Sequence, residues 1–234
     1  MKNLKKNALI SLSLSVIFLL AFLLLTILVK TVDVQAIGPS GSKIGLASLN
    51  GAVFNAIGEN AVFYKLTQIL GLIPFAVAGA FAILGICQAI KRKSIKKADL
   101  DIYILAAFYV AVLVAYILFE IVEINYRPIL VDGALEASYP STHTMLAVCI
   151  MTTAIIELHR LIKNKKAILI AADCLCVAIA AAIVIGRLLS GVHWTTDIIA
   201  GLLLSCALVS LYCFAIALAK EKIAKKANKE TDND

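Results

Sequence analysis

The sequence predicts an all-α fold, a bundle of six transmembrane helices, and three observations carry that prediction. The 234 residues are 62% hydrophobic and have a mean hydropathy of +0.95. A soluble domain is about half apolar, so much of this surface must face something other than water. The apolar residues gather into long uncharged runs, 22 residues over Ala8–Val29 and 25 over Leu66–Ile90, where about 20 cross the roughly 30 Å of a hydrocarbon core. Between the runs the charge is basic and clustered. A net charge of +7 would suggest nucleic acid in a soluble protein, but lysines confined to short loops between apolar runs mark cytoplasmic membrane loops. Nucleic acid is therefore excluded as a partner.

Taken in order, Ala8–Val29 follows M-K-N-L-K-K and exceeds the 7–15 apolar residues of a secretory signal. Gln35-Ala36-Ile37-Gly38 is also a poor cleavage site, so this run is expected to stay as the first span. Thr31 to Lys65 is too polar to span; a short interfacial helix and an irregular loop both fit it. Leu66–Ile90 is the second span, with Pro74 as its expected kink. The third runs from about Ile102 to Phe119, the fourth from Ser141 to Leu158, the fifth from Ala167 to Ile185 and the sixth from Ile198 to Ala219. The six cysteines all fall in apolar runs and read as buried free thiols. Cys174 and Cys176, two apart on a helix, point in different directions, which argues against a metal pair or redox motif.

Loop charge gives the orientation. The N-terminal tail carries three Lys/Arg, residues 91–97 five, residues 160–166 four and the C-terminal tail five, 17 of the 22 in the chain. Six spans then place both termini in the cytoplasm and the remaining loops outside. Arg127, His143, Arg187 and His193 all fall at that outward membrane edge, although they come from separate stretches of sequence.

These residues form a kit for an oxyanion. In G-R-L-L-S-G-V-H-W-T-T-D, Gly186–Asp197, an arginine, a histidine and a carboxylate adjoin a long apolar helix. If the chain is helical from Val192 on, Asp197 lies four residues from His193 on the same face and can hold one ring nitrogen. P-S-T-H (Pro140–His143) adds Ser141, Thr142 and a second histidine, and Tyr126-Arg127-Pro128 a second arginine. Two arginines with hydroxyls and imidazoles suit phosphate. Two histidines and Asp197 could also ligate zinc, but the adjacent arginines repel a cation, so no metal is expected.

The three stretches resemble the signature of the type 2 phosphatidic acid phosphatase superfamily, which includes vanadium haloperoxidases. Its pattern is Lys-x6-Arg-Pro, Pro-Ser-x-His, then Ser/Gly-Arg-x5-His-x3-Asp, and Arg127-Pro128, Pro140–His143 and Gly186–Asp197 fit in order. One position departs: the family's lysine is Glu120, and Lys65 is a candidate to supply the missing charge. The resemblance implies a metal-free, cofactor-free lipid phosphatase. His193 would be the nucleophile, Asp197 its orienting partner and His143 the proton donor, with Arg127, Arg187, Ser141 and Thr142 binding the phosphoryl oxygens. It implies a phosphatase core over 66–220, preceded by a first span and outward segment (1–65) and followed by a basic tail (221–234). Candidate substrates are undecaprenyl pyrophosphate, phosphatidic acid and phosphatidylglycerol phosphate, at the outer face of a bacterial plasma membrane; no oligomeric state is read from the sequence. Glu120 favours a second reading, a non-catalytic lipid-phosphate binding or transport protein on the same scaffold.

Other polar residues draw plainer expectations. Trp194 and Tyr139 read as interfacial anchors, His159 as a cytoplasmic loop residue, Asp173 as a partner for a nearby lysine, and Asp132 and Glu136 as solvated.

Overall fold

The computed structural model describes residues 2–94 and 99–231. Lys96 and Lys97 of the predicted basic loop, and the last three residues of the basic tail, lie outside these. Among these residues eight α-helices follow in order, with a single 3-10 turn at Pro39–Gly41 between the first two: α1 Lys2–Thr31, α2 Ala47–Ile57, α3 Ala61–Leu70, α4 Leu72–Lys91, α5 Leu100–Ile121, α6 Thr142–Leu161, α7 Lys166–Leu189 and α8 Thr195–Thr231. Six stretches are long and apolar enough to cross a membrane, α3 and α4 together forming one of them. The six predicted spans are all present, each beginning or ending a few residues beyond its expected limits. The second starts at Ala61, where Asn60 caps α3 by accepting from the amides of Val62 (3.0 Å) and Phe63 (3.2 Å). It breaks at Gly71, between α3 and α4, and Pro74, the expected kink, sits one turn into α4 where a missing N–H costs little.

Composition follows position in the bundle. α6 is the least apolar span, with a mean hydropathy of 1.4 against 2.4 to 2.9 for the others, and it is also the most buried. A helix walled by other helices can carry Thr, Cys and Met, whereas one facing lipid is left with Leu, Ile and Val. Met145, Cys149, Ile150 and Ala154 of α6 accordingly sit at the centre of the core, against α5, α7 and α8. α1 packs along α8, where the Ser15 hydroxyl donates to the Ala207 carbonyl at 2.9 Å.

The expected burial of all six cysteines needs correcting. Cys149 and Cys176 are buried, but Cys87 and Cys174 are exposed on the outside of the bundle. A thiol is apolar enough for a lipid-facing position, so an apolar run does not by itself distinguish core from lipid. The 31–65 segment proves to hold a short helix, α2, after a bridge between Gln35 and Ile44. α2 packs on the start of α8 and so belongs to the bundle rather than floating at its surface.

Candidate active site

At one end of the bundle meet the C-terminal ends of α5 and α7, the N-terminal ends of α6 and α8, helix α3 from Tyr64 to its end at Gly71, the α5–α6 loop and the α7–α8 turn. The sharpest convergence is on one atom, Nε2 of His193. Arg187 Nη2 lies 3.3 Å from it and Arg127 Nη1 3.5 Å. A guanidinium only donates, so Nε2 must be the acceptor and the ring proton sits on Nδ1. Burial first, then Arg127, Arg187 and His143, hold the pKa of His193 well below its ordinary 6.5. The outcome is a neutral imidazole with an in-plane lone pair between two cations.

The backbone around His193 differs from expectation. α8 begins at Thr195, so His193 precedes the helix and does not share its face with Asp197 as predicted. Asp197 is at the third helical position, and its Oδ2 accepts the Trp194 amide at 2.9 Å, the backward arm of a capping box. The same oxygen faces His193 Nδ1 at 3.6 Å, within ion-pair range but outside hydrogen-bond range. Asp197 thus orients the imidazole while also fixing the turn that carries it. Asn125 and Ser138, from the α5–α6 loop, stand beside the same carboxylate. Gly191, at φ +71°, makes the preceding turn, and a Cβ there would lie 2.5 Å from the Gly58 carbonyl.

Arg127 leaves α5 on a loop closed by bridges from Tyr126 to Ala137 and from Val131 to Ala134. Asp132 and Gly133, both at positive φ, make its two-residue turn. Asp132 is an exposed turn residue, as expected of a solvated one. Glu136, also expected to be solvated, instead pairs with Arg127 Nε at 2.9 Å while remaining 43% exposed. Arg187, by contrast, is 1% exposed and has no carboxylate partner among the described residues; Tyr64 of α3 lies under its guanidinium at 5.5 Å. Its Nε and Nη1 have no hydrogen-bond partner among the described residues.

Ser141 caps α6 without using its hydroxyl, which is buried and unpartnered. The Thr142 hydroxyl is engaged, donating to Glu120 Oε1 at 2.8 Å. Glu120 therefore sits at the rim of the site, bonded to one of the residues expected to grip phosphate. Lys65 is exposed on α3 and off the face that Tyr64, Thr67 and Gln68 turn to the site, so it is a poor substitute for the family's lysine. His143 opens α6, with Nε2 3.0 Å from Gln68 Oε1.

The two predicted aromatic anchors belong to the interior. Trp194 is 2% exposed, donates Nε1–H to the Tyr126 carbonyl at 2.6 Å and packs on Phe54. Tyr139 is fully buried, bonds to Thr26 at 2.9 Å and stacks on Phe22. Each ties the α5–α6 loop or the α8 turn to a helix far off in sequence, which no local pattern shows. Sequence reasoning also missed Asn50 of α2. Its amide donates to Thr196 Oγ1 (2.9 Å) and its oxygen accepts the Thr196 N–H (3.2 Å), capping α8 beneath His193. At the opposite end Asp173 pairs with His159 at 2.8 Å rather than with a lysine.

Comparison with known proteins places the chain in a family and a fold. A model of the PAP2 superfamily matches residues 75–220. No curated protein matches the chain. Among solved structures, the fold is similar to that of the first transmembrane PAP2 type phosphatidylglycerolphosphate phosphatase from Bacillus subtilis. The TM-score is 0.57 and the identity 21%, over 89% of this chain and 96% of that one.

Proposed function

The chain belongs to the PAP2 superfamily, and from that premise we propose that it is a membrane lipid phosphatase working through a phosphohistidine. One observation carries the reading: two buried arginines aim at the lone pair of a buried, neutral histidine. Their donors meet the charge of a phosphoryl group, and its phosphorus then lies within reach of His193 Nε2. Attack there forms an N–P bond as the lipid's P–O bond breaks, and His143 gives its proton to the departing oxygen. Charge that builds on His193 is met by Asp197 across the ring. Water, losing a proton to His143, then displaces the histidine and releases phosphate. Arg127, Arg187 and the unpartnered Ser141 hydroxyl hold the phosphoryl oxygens in both steps.

A site at the end of the bundle suits a substrate whose tail stays in lipid. An apolar crevice of about 640 Å³ between α4 and α5 is floored by Leu146 and Ile150, on the face of α6 that begins at His143. The loop charges favour an outward-facing site. Purified protein in nanodiscs should release phosphate from phosphatidic acid, phosphatidylglycerol phosphate or undecaprenyl pyrophosphate in the presence of EDTA, and His193→Ala should abolish release. Unchanged release by His193→Ala sinks the mechanism. The carboxylates at the rim, Glu120 on Thr142 and Glu136 on Arg127, favour the second reading of a lipid-phosphate binder. Saturable binding with no turnover would establish that instead.

A further inference from the structure

Helix α3 precedes residue 75, where the family match begins, yet one of its faces lines the site. Positions three and four apart share a helix face, and here they are Tyr64, Thr67 and Gln68. Tyr64 lies under Arg187, Thr67 is buried against Gly186, and Gln68 reaches His143. The Gln68 amide nitrogen donates to the Tyr64 hydroxyl at 3.0 Å, which leaves its carbonyl oxygen for the imidazole. His143 Nε2 is therefore the donor, and it carries a proton. At the end of α3, a Cβ added to Gly71 would lie 3.0 Å from His143 Cδ2 and 3.1 Å from the Thr67 carbonyl. A side chain here would press on the ring, so glycine eases the close approach of this helix end.

The geometry points to Gln68 as the positioning residue of the proton-transfer histidine, an assignment that rests on the phosphatase reading above for its catalytic meaning. With Nε2–H held on Gln68, Nδ1 is the atom that gives and takes the proton, and that atom is buried with no partner among the described residues. Before the first half-reaction Nδ1 takes up a proton from bulk solvent; that proton then passes to the departing oxygen as the P–O bond breaks, leaving the imidazole neutral with its proton on Nε2. In the second, water loses a proton to Nδ1 as its oxygen takes phosphorus from His193. The other proton stays on Nε2, donated to the Gln68 carbonyl oxygen throughout.

The chemical nature of each orienting group matches its task. His193 becomes cationic as it attacks, and a carboxylate, Asp197, faces it. His143 must let a proton go, and a neutral amide faces it; a carboxylate there would hold the imidazolium. The other charged or titratable groups facing His143 are Arg187 from α7, Arg127 from the α5–α6 loop and His193 from the α7–α8 turn. Glu120 of α5 is bonded to the adjoining Thr142.

The test uses full-length protein in nanodiscs with 15N-labelled histidine, the His143 signals being identified by their loss in His143→Ala. The wild type should show the Nε2-protonated tautomer at His143, and Gln68→Leu should lose that preference. The isosteric Gln68→Glu should move the His143 titration up by about one pH unit or more. In phosphate release, Gln68→Leu should lower kcat roughly ten- to hundredfold with less effect on KM, the range seen when orienting partners of metal-bound histidines are removed. An Nδ1-protonated wild type, or tautomer and titration unchanged in both variants, overturns the assignment whether or not lipid is turned over. Spectra that respond as expected in a wild type that releases no phosphate would instead sink the phosphatase reading and leave the Gln68–His143 pairing standing.

Discussion

Each end of this bundle holds an arginine among packed helices, and the two ends use it in opposite ways. At the end away from the site, Arg160 of α6 is surrounded by acids: Glu157 at 2.8 Å, Asp101 at 3.1 Å and Asp99 at 3.4 Å. The Glu157 carboxylate is 1% exposed and also takes the Tyr212 hydroxyl from α8 at 2.5 Å. Asp99 is further held by Arg92 at 2.8 Å. Charge there is matched by charge, and the cluster clamps α4, α5, α6 and α8 together. At the site end Arg187 has a ring, a histidine and unpartnered donors instead. A buried cation without a counter-ion costs folding energy, and a protein keeps such an arrangement where an anionic substrate supplies the missing charge. The contrast separates an arginine matched by acids from one whose proposed partner is a ligand, although both sit near helix ends in an apolar chain.

The largest effect that can break this contrast is at Arg187. Arg187→Lys keeps the charge but loses the planar array of donors, and it should lower kcat for lipid phosphate release by about 10²–10³-fold, as loss of an oxyanion donor does elsewhere. Its thermal stability in detergent should change little. A variant that unfolds while keeping wild-type turnover per folded molecule would show Arg187 to be structural. Glu157→Ala should do the converse. Removing one partner of a buried pair costs about 3–5 kcal/mol, and the lower end applies because the Arg160 side chain is 21% exposed. The apparent melting temperature should drop by several degrees, while phosphate release per folded molecule stays within about twofold. Equal losses of stability at both positions would erase the distinction.

How far the sequence revealed the two ends also differs. The spans were legible because lipid enforces uniform apolarity over about 20 residues. Arg127, His143, Arg187 and His193 were placed on one rim by span parity and spacing alone, and they meet there. The clamp at the other end was illegible, since Asp99, Glu157, Arg160 and Tyr212 have no motif and are joined only by packing. At the site the same limit hid Asn50 and Gln68, which act through α2 and α3 on helices more than 70 residues away. It misplaced Trp194 and Tyr139 as well, because an aromatic at a membrane boundary looks the same in sequence whether it faces headgroups or fills a loop. The relation of Asp197 to His193 was read through a helix that starts two residues too late to carry it. The pairing survives because a capping turn brings the carboxylate back to the ring.

The smallest expected effect is on pH dependence, and it tests the electrostatics of the site end. His193 has its pKa held below 6.5 by burial first and by Arg127 and Arg187 after it. Lowering the pH through 6.5 would protonate an ordinary imidazole, but this one stays neutral, so its limb in kcat/KM, which reports the free enzyme, should lie well below pH 6.5. The unfolded chain does take up that proton, so the same group makes the fold less stable as pH falls below 6.5 and contributes no pH dependence above it. Arg127→Gln removes one cation and leaves burial in place, so the acid limb should move up but remain below 6.5. An acid limb at or above 6.5 in the wild type, with no shift on Arg127→Gln, would mean that the two arginines do not act on the nucleophile, and the site end would then differ from the clamp only in its sequence.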